Sequence, residues 1–272
     1  MTTLAPSRPS FAASRLSFAG LLRSEWIKFR SLRSTFWSLV MIVGFAALIS
    51  FLIVSEAMPA SDVALPLAMQ QDALAQGITQ SVTFSQLIAG VLGVLIVTGE
   101  YSTGMIRSTM AAAPRRLGAY AAKILVVAVS IFVVGVIASL VSYLAVLPLL
   151  ADRGIHVTPL DAVVMLGVLR ASAYLALVSV FAVGVGMLLR STAGGLATVS
   201  GLLLVLPIVL MMIPAEWAVN VEANMLTSLG ADVLGLSSTV EAGEVLELFA
   251  KIAAWPAAAV ALGGVVLARR DV

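Results

Sequence analysis

The chain has 272 residues, 61% of them hydrophobic and 11% charged, with a mean hydropathy of +1.09 and a formal net charge of +2. A soluble domain carries about a quarter charged residues, so a water-surrounded globule is excluded and lipid must cover the apolar excess. Cysteine is absent, which excludes a disulfide framework, a thiolate metal site and a cysteine nucleophile.

In chain order, residues 1–16 ("MTTLAPSRPSFAASRL") are rich in Ser, Ala and Pro and read as a mobile tail. The first 35 residues lack the compact apolar core of a cleavable signal. Residues 17–35 read as an amphipathic helix. At 100° per residue, Phe18, Leu21, Leu22, Trp26, Phe29 and Leu32 share one arc, with Arg23, Lys28 and Arg30 outside it. Ile27 falls off the arc, and Glu25 and Arg33 intrude on it. A basic amphipathic helix beside a membrane span lies in the lipid interface, anchored by residues such as Trp26. Two readings stand: an anchor alone, or an anchor that also touches a partner.

Six apolar runs approach the 20 residues a membrane crossing needs: 36–54, 82–98, 117–147, 162–189, 193–213 and 248–267. Thr83, Ser85 and Gln86 dilute the start of the second, and such polar groups need partners or water within lipid. Between the second and third runs lies a polar, basic island, "GEYSTGMIRSTMAAAPRR" at 99–116. Ser102 or Thr103 is placed to cap a helix beginning near Gly104, "MIRSTMAAA" has helical content, and Pro114 stops it. The island is either a solvated loop or a small rigid knob. Arg170 sits inside the fourth run, roughly 12 Å beyond its start at 1.5 Å per residue. It either snorkels or pairs with a loop acid, or it faces a translocation path. The fifth run carries Ala193, Ala197 and Gly201 at four-residue spacing, a stripe suited to close helix contact. The single histidine, His156, stands in a loop with Asp152 and Asp161 and reads as solvated rather than as a metal site.

Thirteen of the sixteen Lys and Arg residues fall on one side of this six-span scheme, whereas 214–247 holds six acids and no base. The positive-inside rule then places both termini and the island in the cytoplasm of a multi-pass inner (plasma) membrane protein.

The segment "LLRSEWIKFRSLRSTFW" followed by the 99–116 island, within six spans, resembles the permease subunit of type-2 ABC transporters, particularly the short actinobacterial-like kind. The specific motif covers about residues 20–37 and 99–116. The resemblance implies an all-α integral membrane fold: a cytoplasmic tail over 1–16, an elbow helix over 17–35 and a six-span permease domain over 36–268. That domain would include a coupling loop at 99–118 and an outer loop at 214–247. It further implies that Glu100, Tyr101, Gly104, Arg107, Pro114 and Arg115 belong to an element docking on an ATPase, and Trp26, Lys28 and Arg30 to the elbow. Glu100 and Arg107 are then the telling charges, Glu100 either stabilising the turn or meeting a partner's arginine. Spans two and five face the central cavity in that family, which would put Thr83, Ser85, Gln86 and Gly201 on the translocation path, with Arg170 a further candidate.

No G-x-x-x-x-G-K-[ST] phosphate loop occurs in the sequence. ATP and Mg²⁺ would therefore be bound by two separate cytoplasmic ABC ATPase subunits, and this chain is expected to be no enzyme and to need no cofactor of its own. A second permease subunit, identical or homologous, would complete the pathway, and export is the direction the resemblance favours. The expected partners are these proteins and the lipid bilayer, with no nucleic acid. The alternative is a non-transporting membrane anchor or sensor whose island docks a regulatory protein.

Overall fold

The computed structural model describes residues 17–57, 67–112, 116–151, 162–235 and 242–269. Every element among the described residues is helical: α1 Phe18–Ser31, α2 Arg33–Ala57, α3 Leu67–Ser102, α4 Met105–Ala112, α5 Arg116–Ala151, α6 Ala162–Leu189, α7 Thr192–Ser200, α8 Leu206–Met211, α9 Glu216–Ala223, α10 Leu226–Gly235 and α11 Ala242–Arg269. Among them, six stretches are long and apolar enough to cross a membrane: Arg33–Glu56, Ser81–Ser102, Arg116–Ala151, Val164–Leu189, Thr192–Met211 and Gly243–Arg269. The chain is an all-α, multi-pass membrane protein. Helices are what such runs must form, because lipid offers no partner for an open backbone N–H or C=O.

The hub is α6, with 72% of its apolar window buried against 22% for α2. It packs on α3, α5 and α11, while α2 lies across α3 and α5. Glycines set the closest approaches. A Cβ at Gly93 of α3 would stand 2.5 Å from the Ser179 carbonyl oxygen of α6, and one at Gly184 of α6 would stand 2.6 Å from the Ala259 backbone of α11. Small residues at these crossings let two backbones touch where a larger side chain would hold them apart.

The helices overrun several of the apolar runs. The second pass belongs to a helix that starts at Leu67, so Ser85 and Gln86 lie in its middle, turned into the bundle and about 1–2% exposed. The polar dilution is a protein-facing stripe on a helix longer than the bilayer. The third run extends to Arg116–Ala151. The fifth pass is not one α-helix: a π-helical turn over Gly201–Val205 joins α7 to α8, with the Leu206 amide bonded five residues back to the Gly201 carbonyl. Pro207, which has no N–H to give, follows at once, and the widened turn takes up the break in the ladder.

The small-residue stripe of this pass does not make helix contact. Ala193 and Ala197 are exposed and nothing lies within 4 Å of a Cβ built at Gly201. Instead Gly195 meets Val94, and Val199 and Leu203 meet Gly90, so the neighbouring face carries the α3 contact. At the far end, the 214–247 connection is helical over α9 and α10, and α10 folds back onto α3, α6 and α11.

Candidate functional site

Both α1 and α4 lie at the same end of the bundle, and each is shaped by local chemistry. Ser17 opens α1, its Oγ accepting from the Gly20 amide at 3.2 Å. Leu32 is extended and ends it one residue before α2 begins. At the other chain segment, α3 runs on through Ser102. The Ser102 and Thr103 hydroxyls both donate to the Gly99 carbonyl, at 3.1 and 2.8 Å. They therefore close the end of α3 rather than cap α4, because the open carbonyls of α3 are their nearer partners. Gly104 turns the chain at φ +72°, the left-handed conformation glycine takes without strain. The following α4 buries Ile106 and Met110, four residues apart on one face, and leaves Arg107 exposed.

Between these elements lies a cluster of two lysines and two glutamates. Lys123 of α5 reaches Glu25 Oε2 of α1 at 2.6 Å and Glu100 Oε1 of α3 at 2.7 Å. Lys28 of α1 reaches Glu25 Oε1 at 2.7 Å, Glu100 Oε1 at 3.0 Å and Thr109 Oγ1 of α4 at 3.1 Å. Glu25, Glu100 and Lys123 are each 3–5% exposed. Four elements are thus tied by one charge-balanced group. Charges so far from water persist only when paired and hydrogen-bonded. Burial works against the charge on Lys28, yet its contacts with Glu25 and Glu100 outweigh it and hold its pKa above the usual lysine value. Glu100 Oε2 is buried and accepts no hydrogen bond.

A second tie sits beside the first. The Tyr101 hydroxyl donates to Met187 Sδ at 3.3 Å, and the Arg190 guanidinium lies 5.3 Å from the Tyr101 ring centre. Arg190 also donates to the Val266 carbonyl of α11 at 3.1 Å while its own backbone turns the α6–α7 corner at φ +54°. The ends of α3, α6 and α11 are joined through this one arginine.

Of the residues singled out in the sequence, Glu100 and Lys28 meet in the ion cluster, Tyr101 lies at its edge and Gly104 forms the turn. Trp26 is half exposed and stacks on Phe29 at 6.1 Å, and Arg30 is exposed. Pro114 and Arg115 lie outside the described residues, as do the 1–16 tail and the loop with Asp152, His156 and Asp161. Thr83 is partly buried, Ser85 Oγ donates to the Ser81 carbonyl at 2.9 Å, and Gln86 Oε1 accepts from the Tyr174 hydroxyl. Arg170 is 6% exposed within α6. Ser85 is enclosed in the bundle and Gly201 faces outward, so the described structure does not bring those two side by side. No group of His, Asp and Glu suited to hold a metal ion occurs among the described residues.

Two members of the cluster escape a reading by pattern. Lys123 counts in the sequence only as one more basic flank, and Glu25 only as an intruder on an apolar arc. The intrusion is the available signal: an acid on a buried face requires a cation opposite it. A scan against protein-family models returns no match, and a search of curated proteins returns none either.

Proposed function

We propose that this chain is the membrane-spanning permease subunit of an ATP-driven transporter, with α1 as its elbow and α4 as the surface on which a separate cytoplasmic ATPase docks. The observation that supports this reading most is the ion cluster. A loop that only satisfies the positive-inside rule has no need of a four-charge anchor with three of its members buried. With the anchor, a force on the exposed face of α4 passes through Thr109 and Lys28 to α1, and through Glu100 and Lys123 to α3 and α5. The docking knob and the spans then move as one body, which is what coupling ATP binding to alternating access demands.

In this reading the basic end of the bundle is cytoplasmic, both termini are inside, and two such chains, identical or homologous, share one pathway with two ATPases. ATP and Mg²⁺ stay with the ATPase. The chain itself binds its partner, transmits displacement and lines the route, with export as the favoured direction.

Arg107 provides the test, because it is exposed and outside the anchor. A desolvated interfacial pair broken on one side loses about 2–5 kcal/mol, against about 0–1 kcal/mol for a solvated surface pair. Arg107→Glu should release the ATPase, or let it hydrolyse ATP without transport in proteoliposomes, at an unchanged level of the chain in the membrane. If that variant copurifies with the ATPase at wild-type stoichiometry and transports normally, α4 is not the docking surface. ATP-dependent transport in the wild-type assay separates a permease from a membrane anchor that docks a regulatory protein.

A further inference from the structure

The apolar arc of α1 is largely turned into the protein. Leu22 packs against the core, Phe29 is 4% exposed, and Glu25 of the ion cluster lies between them, three residues after the first and four before the second. That face is held by the bundle, chiefly by α5. The outer side of α1 carries a second stripe at helical spacing. Arg23, Trp26, Ile27 and Arg30 stand at i, i+3, i+4 and i+7, and all four are exposed, Trp26 by 47% and Ile27 by 57%. Arg33, also exposed, follows at the start of α2. None of these three arginines makes a side-chain hydrogen bond or ion pair among the described residues.

We propose that this stripe is a recognition face for the headgroups of net-anionic phospholipids, the chemistry of phosphatidylglycerol. Its composition decides what covers it. Hydrocarbon tails alone would leave two guanidinium groups without partners, and water alone would leave Trp26 and Ile27 wet. The headgroup layer suits both: the apolar pair enters the acyl boundary while the guanidinium groups stay among the phosphates. The level agrees, because only Leu32 separates α1 from α2, and the first turn of α2 exposes Phe36 and Trp37 by about 60% each. Aromatic side chains gather at headgroup level. Charge complementarity then decides between lipids. A zwitterionic headgroup brings an ammonium that needs an acid beside the phosphate. The single acid of α1 is Glu25, which is buried and bonded to Lys28 and Lys123. The stripe thus offers three cations with Arg33 and no anion, and an anionic headgroup answers it through guanidinium–phosphate pairs. An acidic protein surface would answer the arginines and leave the aromatic level without a purpose.

The test reconstitutes the full chain in vesicles of equal phosphatidylglycerol and phosphatidylcholine with matched acyl chains, then extracts it in mild detergent and measures the retained lipid by native mass spectrometry. Each arginine near an anionic surface strengthens attachment about fivefold, so retained phosphatidylglycerol should exceed phosphatidylcholine by about tenfold or more. Arg23→Gln, Arg30→Gln and Arg33→Gln together should bring the ratio close to one. These side chains are exposed and make no bond to the bundle, so the unfolding midpoint should stay at the wild-type value. Arg107→Gln with Arg269→Gln removes two other exposed arginines of the same basic end and should leave the preference in place. Equal retention of the two lipids by the wild type, which a stripe made for an acidic protein surface would give, overturns the proposal. So does a preference that survives the triple change. A preference lost equally in the double variant overturns it as well, since the charge of that whole end, rather than the α1 stripe, would then select the lipid.

Discussion

Lys123, 3% exposed, is enclosed between two carboxylates, with Glu25 and Glu100 both reaching its ammonium. An ion group of this kind adds little net stability over a well-packed apolar one, but removing a single member leaves an uncompensated buried charge and costs about 3–5 kcal/mol. Lys123→Met should therefore lower the thermal unfolding midpoint in detergent more than any single change on the exposed face of α4, where about 0.5 kcal/mol is usual. Adding Glu100→Gln to Lys123→Met should recover part of the loss, since one charge of each sign is then gone. A Lys123→Met midpoint equal to that of the wild type would mean that water reaches the cluster. The contribution of Lys28 has a defined pH window. Its pKa is raised by folding, so the contribution is complete below the unfolded lysine value of about 10.4 and is lost as pH rises through the higher folded value. Unfolding midpoints should show no loss from Lys28 between pH 7 and 9 and a decline only above about pH 10.5. Sequence alone displayed half of this site. Glu100 stood out as an acid in a basic island, but its partners are 72 and 23 residues away along the chain, and no local period encodes such a pairing.

Helix existence was legible in the amino-acid order, because six apolar runs near bilayer length admit few other structures. Which face of each helix meets which neighbour was not. The four-residue stripe of Ala193, Ala197 and Gly201 has the form of a contact face and is turned outward, while Gly195 and Gly90 make the approach between α7 and α3. Small size permits contact without selecting it; the knobs opposite decide, and here they are Val94, Val199 and Leu203. Alanine substitution separates the two kinds of glycine. At Gly93 the new methyl would meet the Ser179 carbonyl at 2.5 Å, a backbone atom that cannot swing aside, so α3 and α6 must part. Overpacking of this sort costs about 1–3 kcal/mol, and Gly93→Ala should unfold at a clearly lower temperature. Gly201→Ala meets nothing within 4 Å and should leave the midpoint of the isolated chain unchanged or slightly raised. If the two variants melt together, the α3–α6 crossing is looser than this geometry.

At the scale of the whole molecule, the number of crossings fixes which segments share a side. Between α4 and α9 lie three stretches long and apolar enough to cross a membrane, in α5, α6 and α7–α8, and three traverses there put the two short helices on opposite sides. The interrupted pass is the one this count depends on, since a π-helical turn and Pro207 divide it. Charge then says which side is which. The Lys- and Arg-rich end carries α1 and α4, while the acidic, base-free 214–247 region carries α9, and the proposed orientation, which follows the positive-inside rule, puts the first in the cytoplasm. The absence of cysteine makes the experiment clean. Ser108 on α4 and Asn220 on α9 are both exposed, and each accepts a single cysteine. A membrane-impermeant maleimide added to intact cells should label Asn220→Cys and spare Ser108→Cys until the membrane is permeabilised. Labelling of Ser108→Cys alone would invert the orientation and keep the three traverses. Labelling of both from outside would show that Thr192–Met211 enters the bilayer without crossing it, and the outer position of α9 and α10 would fall with that pass.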